Sequence, residues 1–399
     1  MFIKLALKSM AARKGSVLLS VMAMTISIMV LLGVEHIRHQ AKVSFANTLS
    51  GVDLIVGART SSVNLLLYSV FRVGSPTNNI SWQSFETIAA NPKVKWAVPL
   101  SLGDSHKGFR VLGTNQDFFQ QVKYGQQHAL EFNQGRAFSD VYDVVLGSAV
   151  AAKLHYKLGD ELVLAHGIAA TSFTLHKNNP FTVVGILSPT GTPIDHTLHV
   201  SLQSIEAIHA QQSQAVSQQA MLQPSHITAF MLGLESKITT FTMQRDINQF
   251  AAEPLIAILP GVVLAELWQM MSVLENTLLV VSVLVFMSAC LGVCAMLLAS
   301  VRERHYEIRL LQTIGAPARF LFLLIAAEAA FIAMSSIIAA GVILTLCLTL
   351  AQDYLMTQFG LNISANIFSM NSLYVIGIIM VISIVVAVIP SLSMSNRQH

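Results

Sequence analysis

The sequence predicts a membrane protein of four transmembrane helices, with a large α+β domain, in two lobes, inserted between helices 1 and 2. Three observations lead there. Of 399 residues, 53% are apolar and 11% charged, with a mean hydropathy of +0.60, a composition that suits a membrane chain carrying a water-soluble part. Four apolar runs, 16–34, 277–299, 320–346 and 373–389, are long enough to approach or cross about 30 Å of hydrocarbon. The stretch 38–270 between the first two holds 15 Lys or Arg and 15 Asp or Glu, a soluble-domain balance large enough for a sizeable core.

The first run lacks a small-residue cleavage site and passes into a polar helical pattern, so it is read as retained rather than as a leader peptide. Basic residues set its direction. Lys4, Lys8, Arg13 and Lys14 precede run one, and Arg302, Arg304, Arg309 and Arg319 lie between runs two and three. The bridge 349–372 has no Lys or Arg. Both termini and the charged bridge are therefore expected in the cytoplasm, and 38–270 on the far side. The domain boundaries follow: 1–37 with the first span, 38–270 outside, and 271–399 with spans two to four and a short cytoplasmic helix at about 301–317.

Within the outer segment, β-branched runs recur between turn residues: "VDLIVG", "KVKWAVPL", "GFRVLGT", "DVVLG", "ELVLAHG", "PFTVVGILSPTG" and "HVSL". Helical stretches intervene, "SWQSFETIAA" with Ser81 or Ser84 as its cap, and "SLQSIEAIHA", an α+β alternation. "QSQAVSQQAMLQPS" reads as a loop. The run 63–71 has two readings, core packing of a helix or the cover of a groove for lipid-like or peptide ligands. At either end of the domain a helical pattern overruns the membrane, in "EHIRHQAKVSFANTL" and "PGVVLAELWQMMSVLENTLL", the pattern of a stalk.

Several chemistries are excluded. No GxxxxGK[ST] loop, HExxH or GxSxG is present, so the chain has no Walker-type cradle for a nucleotide and no zincin or hydrolase signature. A net charge of +3 without a basic face gives no nucleic-acid footprint. Cys290, Cys294 and Cys347 all fall inside apolar runs, without a disulfide or zinc spacing. His196, His199, His166 and His176 are weak metal candidates. On a strand, His196 and His199 point to opposite faces. Glu275 and Glu328 are acids at or near membrane depth, where a carboxylate needs a partner or a polar cavity. Gly292 and Gly341 offer close helix packing.

The charged bridge carries the functional signal. Glu303, Arg304, Glu307 and Arg309 alternate with an apolar stripe of Ile308, Leu310, Leu311 and Ile314, and Gly315 and Pro317 stop the helix. A short amphipathic cytoplasmic helix of this kind is either a surface for a partner protein or a positive-inside bridge that only fixes topology. "ERHYEIRLLQTIGAPARFLF" resembles the coupling-helix region of MacB/FtsX-type ABC permeases, matching at Glu307, Ile308, Leu310, Leu311, Gly315 and Ala316, with Ile314 where Leu is common and Pro317 as a departure. Glu328 falls where that family carries an acid in its third span. "VAVIPSLSMSN", "LALKSMAARKGSVLLSVMAMTISI", "VVLGSAVAAKLHYKLGDELVL" and "FTVVGILSPTGTPID" resemble other parts of it.

The resemblance implies a stand-alone type VII permease subunit of a bacterial inner membrane, itself not an enzyme and binding no cofactor. It implies a MacB-like periplasmic core, a second permease copy, and a separate cytoplasmic ATPase that binds ATP and Mg and docks on Glu303 to Ala316. Motion would pass to the periplasm by mechanotransmission, driving export, extraction or release of a lipoprotein, lipid, peptide or drug, with a periplasmic adaptor or lipoprotein as a further partner. The alternative is a membrane-anchored regulator of a periplasmic enzyme or a ligand sensor, including a metal-related one.

Overall fold

The computed structural model describes residues 10–46 except 12, together with 48, 50–166, 180–210, 224–303, 318–359, 366, 373–383 and 385. The chain divides into two compact units, one of 1–40, 272–353 and 363–399, the other of 41–271 and 354–362.

The second unit is built on one 11-stranded sheet. In chain order its strands are β1 (Leu54–Ala58), β2 (Val94–His106), β3 (Phe109–Thr114), β4 (Phe132–Gly135), β5 (Asp143–Leu146), β6 (Glu161–Leu162), β7 (Ala165–His166), β8 (Phe181–Leu187), β9 (Thr197–Ser201), β10 (Ala229–Leu234) and β11 (Leu255–Ile258). They lie in the order β11-β1-β10-β2-β3-β9-β5-β8-β4, with β6 on β8 and β7 on β2. Among them run α2 (Ser62–Ser69), α3 (Trp82–Ala89), α4 (Asp117–Gln121), α5 (Ser148–Leu154), α6 (Leu202–Ala210) and α7 (Thr240–Asn248). Two short strand pairs, Ile80–Ser81 with His226–Ile227 and Lys123–Tyr124 with His128–Ala129, stand apart.

Strand alternation sorts the apolar residues to two faces. One face carries a continuous core that includes Ile55, Met231, Val98, Leu112 and Val145, closed by Leu65 and Leu66 of α2 and Phe118 and Phe119 of α4. The other face carries two separate cores. Leu54, Val56, Phe230 and Leu232 pack on Phe85, Ile88, Met243 and Ile247, whereas Val111, Val144, Leu198 and Val200 pack on Val150, Ile205 and Ile208. The expected two lobes are thus two halves of one sheet. The 13-residue β2 joins them, pairing with β10 through its first half and with β3 through its second. The run 63–71 resolves to the packing reading over α2, where Leu65, Leu66 and Tyr68 are buried.

Local chemistry explains the ends. Ser81, not Ser84, caps α3, accepting from Ser84 N at 3.3 Å. Ser61 does the same for α2 through Asn64 N. Lys107 and Gly108, at φ 47° and 87°, make the two-residue turn between β2 and β3, the left-handed pair that suits strand twist. "ELVLAHG" breaks into the two short strands β6 and β7.

The loop before β9 is tied by one carboxylate. Asp195, 1% exposed, accepts from Gly191 N at 2.7 Å, Thr190 N at 3.0 Å and Thr190 Oγ1 at 2.9 Å. Thr192 caps the following 3-10 turn Pro193–His196. Gly147 lies under this turn, where a Cβ would sit 2.3 Å from the Ile194 carbonyl oxygen.

The first unit holds the greater part of three helices long and apolar enough to cross a membrane: α1 (Lys14–Ala46), α8 (Pro260–Glu303) and α9 (Ala318–Phe359), the membrane-length stretches being Lys14–Gln40, Pro260–Ser300 and Leu323–Gln352. Only these three qualify among the described residues; the expected fourth appears as a shorter apolar helix, α10 (Leu373–Ser383). Helix α9 also runs on past the expected end of its span, to Phe359. Large exposed apolar side chains such as Leu19, Leu284, Leu291, Ile338 and Val342 stud these helices, the lipid-facing pattern of a bilayer span.

Asp195→Asn is expected to keep the fold but lower stability by about 2 kcal/mol, because charge-assisted hydrogen bonds weaken and one amide donor faces other donors. Thermal unfolding checks this; an unchanged melting temperature refutes it.

Candidate functional site

The membrane unit is organised by contacts along α1. Arg13 Nη2 lies 3.4 Å from Glu328 Oε2, Ser336 Oγ donates to the Val21 carbonyl at 3.3 Å, and a Cβ on Gly33 would sit 3.4 Å from Leu344 Cδ1. The contacts climb both helices in the same order, so α1 and α9 run parallel. Against α8 the order reverses. Arg38 Nη1 is 3.8 Å from Glu275 Oε2, and a groove lower down is lined by Ser20, Ala23 and Ser27 of α1 with Ser288, Ala289 and Gly292 of α8. These two helices are antiparallel.

Glu328 is buried, at 4% exposure, and stands level with Arg13, at the start of the apolar part of α1. A carboxylate taken out of water needs a cation close by, and Arg13 provides one. Arg38, near the other end of the membrane-length stretch of α1, is shared between Glu35 at 3.0 Å and Glu275. This stretch is thus tied by charge to α9 near one end and to α8 near the other. Sequence reading named Glu328 and Glu275 without their partners, since only the packed helices bring positions so far apart together. The glycine expectation needs correction at Gly292, which has no neighbour within 4 Å of a built Cβ and lines the groove instead, while a Cβ on Gly33 would make van der Waals contact with Leu344.

Of the coupling residues, Glu303 is the exposed last residue of α8. Arg304, Glu307, Ile308, Arg309, Leu310, Leu311, Gly315 and Ala316 lie outside the described residues.

The histidines do not converge. His176 is outside the described residues, and of His166 only the backbone, at the end of β7, is described. His196 ends the 3-10 turn and stacks on Phe109 at 6.2 Å. His199, on β9, is wholly buried between Phe118 and Phe119, at 5.2 and 5.8 Å. Among the described residues no three His, Cys, Asp or Glu side chains gather as a metal site would require. His106, which sequence reading passed over, has a structural setting. Its Nδ1 donates to the Val163 carbonyl at 2.7 Å, which leaves Nε2 to accept from the Tyr156 hydroxyl at 3.0 Å. Burial lowers its pKa, opposed by the Val163 carbonyl.

Two family models match. MacB-like periplasmic core domain covers residues 17–250, more than half of the chain, and FtsX-like permease C-terminal covers 279–398. The chain belongs to the MacB/FtsX-like family of ABC transporter permeases. It is a type VII permease with a periplasmic-type α+β domain and membrane-spanning helices, and its family works with ABC ATPases. Among solved structures, the periplasmic region of MacB from Actinobacillus actinomycetemcomitans is 11% identical with a TM-score of 0.37, covering 55% of this chain and 94% of that one. The extracellular domain of the noncanonic ABC-type transporter YknZ from Gram-positive bacteria is 13% identical with a TM-score of 0.33, covering 51% and 98%. No curated protein matches the permease.

Two outcomes are expected. Arg13→Glu or Glu328→Arg alone leaves a buried charge facing its like and should cost about 3–5 kcal/mol, with the double exchange recovering at least half. Thermal unfolding in detergent measures it, and strictly additive losses would remove the pair from the account. Burial first, and the nearby Arg72 second, push the His199 pKa down to about 3. The unfolded chain takes up a proton on this ring from about pH 6.5 downward, and the folded chain does not until about pH 3. Stability therefore falls as pH drops through that window, by up to about 1.4 kcal/mol per pH unit from this residue. His199→Phe should flatten the slope of urea-unfolding free energy against pH, whereas parallel slopes would show that the ring does not set it.

Proposed function

We propose that this permease is a mechanotransmitting subunit, in which ATP hydrolysis by a separate cytoplasmic ATPase moves the periplasmic domain to export, extract or release a substrate. The observation that carries the reading is the course of α8. Val263, in its first turn, is buried in the continuous core of the outer domain, and the same helix runs unbroken to Glu303. An uninterrupted hydrogen-bonded helix resists bending, so displacement at one end reaches the other.

In this reading both termini are cytoplasmic, α10 is the core of the fourth span, and the domain 38–270 is inserted between spans one and two. The basic residues flanking α1 and the bridge 304–317 support that orientation. The helix directions support alternate crossing, since α1 and α9 are parallel and α8 is antiparallel to α1. The ATPase, carrying ATP and Mg, docks on Glu303, Arg304, Glu307 and the apolar residues to Ala316. Two permease copies pair around it. A lipoprotein, lipid, peptide or drug handled on the periplasmic side, with or without an adaptor, is the substrate class that the family supports.

Charge reversal at Glu303 and Glu307 together should reduce co-purification of the ATPase by at least about tenfold, the equivalent of 1.4 kcal/mol, while the permease itself stays folded. Quantitative pull-down from membranes reads this directly. Undiminished capture would reject the docking site.

A further inference from the structure

A basic cluster lies in the outer domain, with His199 buried and Arg72 and Arg110 half-buried, and among the described residues neither arginine has an ion-pair partner. On the sheet face covered by α2 and α4, Arg110 of β3 stands opposite Thr197 of β9, and Leu112 stands opposite His199. Neighbours in register share a face and alternate residues return to it, so Arg110 and His199 project to the same side. The chain leaving α2 crosses over them. Arg110 Nη2 donates to the Gly74 carbonyl at 2.6 Å. Arg72 sits at φ 60°, a left-handed conformation that a side chain like arginine rarely takes, and its Nη1 donates to the Ser69 carbonyl.

The donors that remain are the notable ones. Arg72 Nε and both ring nitrogens of His199 are buried without a hydrogen-bond partner, although the Val145 backbone lies close enough to the ring to favour its protonation. Arg72 is near enough to Arg110 for their charges to oppose one another, and its charge helps to keep the His199 ring neutral. The ion pairs among the described residues include neither Arg72 nor Arg110. Neighbouring acids are engaged elsewhere, Asp143 with Arg136 at 3.2 Å and Asp195 with Thr190 and Gly191. Burying like charges without a counterion is unfavourable, and burying unpartnered donors adds to the cost. An anion with several acceptor oxygens relieves both.

We propose that Arg72, Arg110 and His199 form a binding site for a phosphate group, carried by a free small anion or by the head of a lipid. Donors approach from three separate elements, the loop after α2, β3 and β9. That spread suits a tetrahedral oxyanion better than a carboxylate, which pairs side by side with one guanidinium. Entry is at the loop, where Val73 is 57% exposed and Gly74 is open to solvent. The site lies within one domain and does not depend on how the permease couples to ATP.

The test uses the full chain purified in detergent. Thermal unfolding is followed against inorganic phosphate, and separately against a short-chain phosphatidic acid, each compared with chloride at the same ionic strength. A saturable rise in Tm with phosphate supports the site and a free-anion source; a rise with the lipid alone supports it with a headgroup source. Arg72→Gln and Arg110→Gln should each weaken the half-saturating concentration by at least about tenfold. Arg110, nearer the surface, serves if the Arg72 variant does not fold. No saturable rise with either compound overturns the proposal, and so does an undiminished response in both folded variants.

Discussion

A helix needs no partner for its backbone, and that single property lets one element pass from water through hydrocarbon and out again. The permease relies on it throughout. Helices α1 and α8 carry their internal hydrogen bonds across the bilayer-length stretch and beyond it without a break. What the helices cannot satisfy alone are the few charges they bring with them. Arg13 with Glu328, and Arg38 with Glu35 and Glu275, resolve these near the two ends of the membrane-length stretch of α1, where each ionised group is held beside its opposite.

The outer domain obeys the complementary rule. Strands need neighbours, and eleven of them find each other in one sheet. Most of these strands were legible as β-branched runs between turns, and the helices α3 and α6 as amphipathic stretches. The strands at 132–135, 229–234 and 255–258 were not, although "AFMLGL" and "LIAI" are short apolar runs of the right length. Buried on both faces, β10 shows no alternation to read, and such a run is ambiguous between strand and buried helix. The division into two lobes was half right for a similar reason. Composition reveals turns and runs, whereas β2 belonging to both halves is a fact of pairing alone.

Site residues divide along the same line. Local signals, the Ser81 cap of α3 or a basic flank at Lys14, are carried by adjacent residues. Arg13 and Glu328 are distant in the chain and meet only because α1 packs parallel to α9. The histidines in "PIDHTLHVSL" invited a metal reading through proximity in sequence. The fold separates their rings between Phe109 on one side and Phe118 with Phe119 on the other, as the change from 3-10 turn to strand at Thr197 dictates.

The shared strand has a mechanical side. Its ladder with β3 slips register between Leu102 and Ser105, close to Gly103, which meets nothing within 4 Å of a built Cβ. A pull applied on the β10 side reaches the β9 side through this stretch, and a second shift, between Gly233 and Leu234, lies on the β10 side. A domain yielding under load would flex there as a leaf spring does at its notch, with the continuous core on one face acting as the backing and α6, whose Leu202 and Ile205 belong to one core each, linking the two cores on the other.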